Sequence, residues 1–232
     1  MAETVGNITV ENFIAAFNQF EVDEGLFELH DGQGFPWWDL VRYRVQFTLC
    51  AERGIYGYQK AVPSTMIVRA RSFLRQSGQL LRDVVKLCLL GRGGVQSLVV
   101  SSRVLRHMAT TLDADKRKGR AALVINKDGC AAVPHVAIAG QSVVFFTRLY
   151  ARVCQVPPDV EQDIRQLAQR IGGRFQSDAN LIALMSSKYC EHLAAQMAWS
   201  FILRRTRAVD RVVYINDNTM KTLVFLARRR GI

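Results

Sequence analysis

Apolar and polar positions alternate along the chain with two different rhythms, one helical at the front and one mixed at the back. Phe13, Ile14, Phe17 and Phe20 recur at three- and four-residue steps, which predicts a helix over Ile8–Phe20 with Thr9 as its N-cap. Gly25–His30 reads as a short strand and Asp31-Gly-Gln-Gly34 as a turn. Trp37, Leu40, Val41, Val45, Phe47 and Leu49 predict a second helix over Trp37–Arg53, entered through Pro36 and stopped at Gly54. Gly54–Pro63 reads as loop. A third helix is predicted over Ser64–Leu90, where apolar residues from Ile67 to Leu87 and a set of arginines fall on partly separate faces. Gly91-Arg-Gly-Gly94 ends it.

Beyond that point the rhythm changes. Ser97–Ser101, Ala121–Asn126, Ser142–Phe146 and Arg211–Ile215 are short apolar runs of the kind a buried parallel strand shows. Asp159–Ile171 and Asp178–Thr206 read as helices, each opened by an Asp at the cap position, and Asn218–Arg230 reads as the last helix. The pattern predicts an α/β chain: a helical N-terminal region over residues 1–94, then an incomplete Rossmann-like parallel sheet over residues 95–232. A strand should follow the last helix of such a fold, so the expectation is a domain truncated at its C-terminus, the front part of a longer protein.

Composition narrows this picture. With 49% apolar residues in 232, the chain can bury a core, which excludes intrinsic disorder. No run of 18 apolar residues and no basic-then-apolar N-terminus occurs, which argues against a membrane span and a signal peptide. The five cysteines are scattered without a C-x-x-C pair, which points to buried thiols in a reducing compartment, with the cytoplasm as the expected location.

Charge is the first feature that points to partners. The formal net charge is +11, which favours phosphate-rich or otherwise anionic surfaces. Between Met66 and Arg106 eight basic residues face one acid, Asp83, whereas Met1–Asp31 holds seven acids and no Lys or Arg. Met66–Leu90 mixes apolar residues with Arg69, Arg71, Arg75, Arg82 and Lys86, a pattern that suits docking on an anionic leaflet; its bland alternative is an ordinary packing helix with solvated arginines.

Searches for phosphate loops, dinucleotide fingerprints, zinc-protease helices and nucleophile elbows find nothing. Asp113-Ala-Asp115 is a two-residue acidic motif too cheap to assign to a metal, the four histidines lack ligand spacing, and neither metal nor cofactor is expected. Two segments stand out. Leu29–Arg44 gathers two of the three tryptophans, His30, Asp31, Asp39, Arg42 and Arg44. It reads either as a helical cap in which Arg42 holds Asp39, or as a polar pocket with aromatic walls suited to a sugar. Arg211–Ile232 takes a β-branched run into Asn216-Asp217-Asn218 and then a helix, which is either a plain N-cap or a ligand position at a strand end.

Gly34, Pro36, Trp38 and Arg42, then Val99–Ser102, then Asn216–Lys221 and Arg228–Ile232 resemble the N-terminal half of bacterial surface-polysaccharide (capsule or lipopolysaccharide) biosynthesis proteins of the GT-B glycosyltransferase type. The resemblance implies the acceptor-side part of a glycosyltransferase-like protein, inactive without a donor domain. Its partners would be a nucleotide-sugar and a lipid-linked or polysaccharide acceptor, and its place the cytoplasm, peripheral to the inner membrane. It implies Asp31 as a base, Trp38 as a sugar platform, Arg42 and Lys221 as phosphate contacts, and Asn216 and Asp217 as further lining residues. Trp38 and Arg42 should then lie near the strand end at Asn216–Asp217. The competing readings are a nucleic-acid-binding protein using the basic stretches, disfavoured because few aromatics interleave the arginines, and a non-catalytic interaction domain.

Overall fold

The computed structural model describes residues 10–55, 66–89, 97–101, 117–118, 122–126, 136–206, 209–214 and 221–232. In chain order they form helices α1 (Val10–Asp23), α2 (Trp38–Glu52) and α3 (Met66–Leu89), strands β1 (Ser97–Ser101), β2 (Ala122–Asn126) and β3 (Val136–Ala139), helices α4 (Gly140–Ala151), α5 (Pro158–Phe175) and α6 (Leu181–Arg205), strand β4 (Arg211–Tyr214) and helix α7 (Lys221–Arg228). The chain divides into two units, one of Met1–Val62 with Gln155–Cys190, the other of Pro63–Cys154 with Glu191–Ile232.

The first unit is helical because its apolar residues repeat at helical steps. In α1 the buried positions are Phe13, Phe17, Phe20 and Glu21, and in α5 they are Val160, Ile164, Leu167, Ala168, Ile171 and Phe175. Each set keeps to one face of a 3.6-residue period. Phe175 is where the two faces meet: its ring centroid lies 5.8, 5.7 and 5.4 Å from those of Phe13, Phe17 and Phe20. Aromatic pairs at such spacings add about 0.5–1.5 kcal/mol each beyond the area they bury. Gly25–His30 is not a strand. Gly25 takes φ 60°, opening a 3-10 turn over Leu26–Glu28 that buries Leu26 completely, and only His30 makes an isolated bridge, to Pro36. The expected Asp caps also move. Pro158 opens α5, leaving Asp159 inside the first turn, and Asn180 caps α6 by accepting a hydrogen bond from the Ala183 amide at 3.0 Å.

The second unit packs Leu87, Leu98, Trp199, Ile202, Leu203, Val209 and Leu223 into one buried cluster. Its four strands are all parallel, in the order β3-β2-β1-β4, with Val99 opposite both Val124 and Val213. The expected fold class nevertheless needs correction. Among the described residues helix outnumbers strand several-fold, and no strand exceeds five residues. The chain is therefore mainly helical, and residues 95–232 are not one Rossmann-like domain. Between β3 and β4 it runs through three helices rather than one crossover, and residues 155–190 belong to the first unit. The Met66–Leu89 helix, expected with the N-terminal region, belongs to the unit that holds the sheet. Ser142–Phe146 is helical too, lying inside α4. A five-residue apolar run cannot report its own period; here Val143 packs on the buried cluster, and the Phe145 ring lies edge-on to Phe73 of α3, centroids 5.4 Å apart.

Candidate functional site

Asp31 is the centre of the Leu29–Arg44 segment. Its Oδ1 accepts hydrogen bonds from the backbone amides of Gln33 and Phe35, both at 2.9 Å, and its backbone N–H donates to the Phe35 carbonyl. A short carboxylate side chain that folds back on its own loop in this way fixes a turn. Gly34 completes it at φ 77°, a conformation in which a Cβ would be strained. The second oxygen, Oδ2, accepts from the Tyr189 hydroxyl of α6 at 2.9 Å. Asp31 is buried, and three donors already point at it. The geometry makes it a turn anchor, not a base open to substrate. Tyr189 is affected in turn. Burial first, then the Asp31 carboxylate it bonds and the charge of Asp159, push its phenol well above the ordinary tyrosine range.

The turn delivers Phe35, Trp37 and Trp38 into the core, where all three are essentially inaccessible. Trp38 therefore offers no face to a sugar. Its indole N–H donates to Glu21 Oε1 at 2.8 Å, and Arg42 Nη2 lies 2.6 Å from Glu21 Oε2. The same guanidinium donates to Asn18 at 3.1 Å and lies over the rings of Phe27 and Tyr43, 5.3 and 5.6 Å from their centroids. Glu21 is fully buried, so Arg42 supplies the countercharge without which that carboxylate would be strongly destabilising. Arg42 thus serves α1, and its ion pair is with Glu21 rather than with the expected Asp39.

The remaining expected positions fall in the second unit. Asn216 and Asp217 lie outside the described residues, as do Asp113 and Asp115. Lys221 opens α7 immediately before Thr222. The Thr222 hydroxyl lies 2.8 Å from His192 Nδ1, and Gln196 Nε2 lies 3.0 Å from the other ring nitrogen. All three are buried, a polar pin between α6 and α7.

Glu21 and Tyr189 escaped the sequence reading, and Asp83 was noted only as a lone acid, without its role. Glu21 and Asp83 left a signal. Glu21 sits one step from Phe20 and four from Phe17, on the apolar face of α1. Asp83 is the lone acid in a basic stretch and lies four residues before the buried Leu87. Its Oδ2 accepts from Ser142 Oγ at 2.6 Å and from the Ala139 amide at 3.1 Å. Those donors are at the N-terminus of α4, where unpaired amides and the helix dipole favour a negative charge. A carboxylate from α3 fills the position that a ligand anion would take.

The first unit also holds a cavity of about 780 Å³, lined by Phe13, Glu52, Arg53, Arg174, Phe175 and Asp178 among others. Its walls carry both signs of charge. Arg53 lies over Phe13 and Phe175, 5.0 and 6.0 Å from their centroids, and donates to the carbonyls of Leu49 and Phe175, so it acts as a packing group. Among the described residues no three His, Cys, Asp or Glu side chains gather as metal ligands would, and no helix is long and apolar enough to cross a membrane.

No family model, curated protein or solved structure matches the chain. The GT-B and Rossmann-like expectations thus gain nothing from comparison, and the mainly helical fold corrects them.

Proposed function

We propose that this chain is an interaction module of surface-polysaccharide biosynthesis, held against a polyanionic partner through its second unit, and not itself a transferase. The observation that carries this is the charge of α3. Arg75, Arg82 and Lys86 are exposed along it, while its single acid, Asp83, is buried against β3 and α4. Lys86 is 3.8 Å from Asp83, and Arg82 bonds to the neutral Gln79, so the exposed surface of the helix carries a net positive field. The helix holds Arg69, Arg71, Arg75, Arg82 and Lys86 against Asp83 alone, in a chain whose net charge is +11. The roles of Asp31 and Trp38 in the first unit support an interaction role over a catalytic one. The surface-polysaccharide setting is supported by the motif resemblance, whose implied lipid-linked acceptor would itself present phosphate.

A cation-exchange comparison on phosphocellulose tests the reading. The Arg75→Gln/Arg82→Gln chain should elute at clearly lower salt than an Arg165→Gln/Arg174→Gln chain of equal net charge, because only the first pair belongs to the binding face. Equal elution would show that the basic excess acts without a site and would overturn the proposal.

A further inference from the structure

We infer that the polyanionic partner is an anionic lipid surface, taken by the outer face of α3 lying flat in the interface; this rests on the polyanion reading above and names its partner. Leu74, Leu81, Val85 and Leu89 stand at steps of seven, four and four residues, so they share one stripe of the helix. All four are exposed, Leu74, Leu81 and Leu89 at 71%, 67% and 80%. Leucines left this open at two-turn intervals, with Val85 exposed between the last two, are unusual on a soluble surface and mark an interaction face. The basic residues are placed by the same spacing. Arg75, Arg82 and Lys86 each follow one position after Leu74, Leu81 and Val85, so they form a second row along one edge of the stripe.

The opposite side of the helix is already committed. Leu87 is in the buried cluster, Phe73 meets Phe145 of α4, and Asp83 is bonded to Ser142 and to the Ala139 amide. A buried carboxylate bonded to the end of another helix fixes the rotation of α3 about its axis. The leucine stripe therefore cannot turn inward to hide, and the helix is preformed and need not order on binding. From Leu74 to Leu89 the stripe runs about 22 Å at 1.5 Å per residue.

Charge and chemistry together choose the partner. A second copy of this face would bring two rows of like charge together. A nucleic acid would use the arginines but leave the leucines in water. An anionic leaflet takes both, with the leucines in the acyl boundary and the arginines at the headgroups.

The test is co-sedimentation of the full chain with vesicles of phosphatidylcholine alone or with phosphatidylglycerol added as the anionic lipid. The phosphocellulose column and a duplex DNA competitor run beside it. Binding should require the anionic lipid and weaken with salt. It should fall by about tenfold or more in Leu74→Ser/Leu81→Ser, whose sites are exposed and whose helix content should be unchanged by circular dichroism. The same serine variant should keep its phosphocellulose elution. Vesicle binding that ignores the leucine substitutions, or that DNA abolishes with the leucines making no difference, would overturn the lipid inference while leaving the polyanion reading intact. Failure of the phosphocellulose comparison would remove both.

Discussion

Tyr189 shows most clearly how the conspicuous polar residues of the first unit are used. Its hydroxyl is held at 2.9 Å by a carboxylate that also organises the Asp31–Phe35 turn, so ionising it would place two negative oxygens side by side in a buried place. Its pKa is raised by burial and by Asp31. The stability linked to it is therefore fully present below the tyrosine value of about 10 in the unfolded chain and is lost as pH rises above it. Tyr189→Phe should lower stability at pH 7 by about 1.5–3 kcal/mol, the range for a hydrogen bond to a charged group, and should flatten the loss between pH 9 and 11. Urea titrations across that range read both effects; a variant with the same alkaline slope as the parent would show that Tyr189 is not the coupled group. The sequence made Asp31, Trp38 and Arg42 visible as a dense cluster, but not their roles. Burial was the missing quantity, since a Trp followed four residues later by an Arg reads identically whether the pair faces solvent or a buried Glu21.

At the scale of elements, legibility followed length and periodicity. The α3 and α5 helices carry their period over many turns, and both were readable within a few residues of their ends. The run Ser142–Phe146 was too short to distinguish strand from helix, and it is α4. β3, Val-Ala-Ile-Ala, escaped because two alanines weaken its β signal. What starts α4 was equally hidden, because its cap is not local: the N-cap residue Ala139 has no capping side chain, and Asp83 supplies one from 56 residues away in sequence. Asp83→Ala would leave the Ser142 hydroxyl and the Ala139 amide without their partner in a part-buried place. It should cost about 2–3 kcal/mol, a lost cap plus orphaned donors. Asp83→Asn keeps one acceptor and should lose less. Thermal melts of the two variants check the order; equal melting temperatures for Asp83→Ala and the parent would refute the capping role.

At the scale of the molecule, the division into units was the least legible feature. Residues 155–190 leave the sheet-bearing unit and join the N-terminal helices, a return that no local pattern encodes because it is set by which apolar faces match. Phe175, closing on Phe13, Phe17 and Phe20, is the residue that reveals it. The same ambiguity surrounds α3. An apolar stripe at helical spacing ordinarily faces a core, and only the structure shows that Asp83 and Leu87 take the inward side and leave Leu74, Leu81, Val85 and Leu89 outside. The most direct measurement is therefore made on that stripe. The three native tryptophans, Trp37, Trp38 and Trp199, are all buried, so a Leu81→Trp substitution adds an exposed indole whose emission can be followed as a difference from the parent. On adding phosphatidylglycerol-containing vesicles that difference spectrum should shift to the blue and be quenched by brominated lipid, with no change on phosphatidylcholine alone. An emission maximum that stays at its water value while the chain sediments with the anionic vesicles would contradict docking through this face.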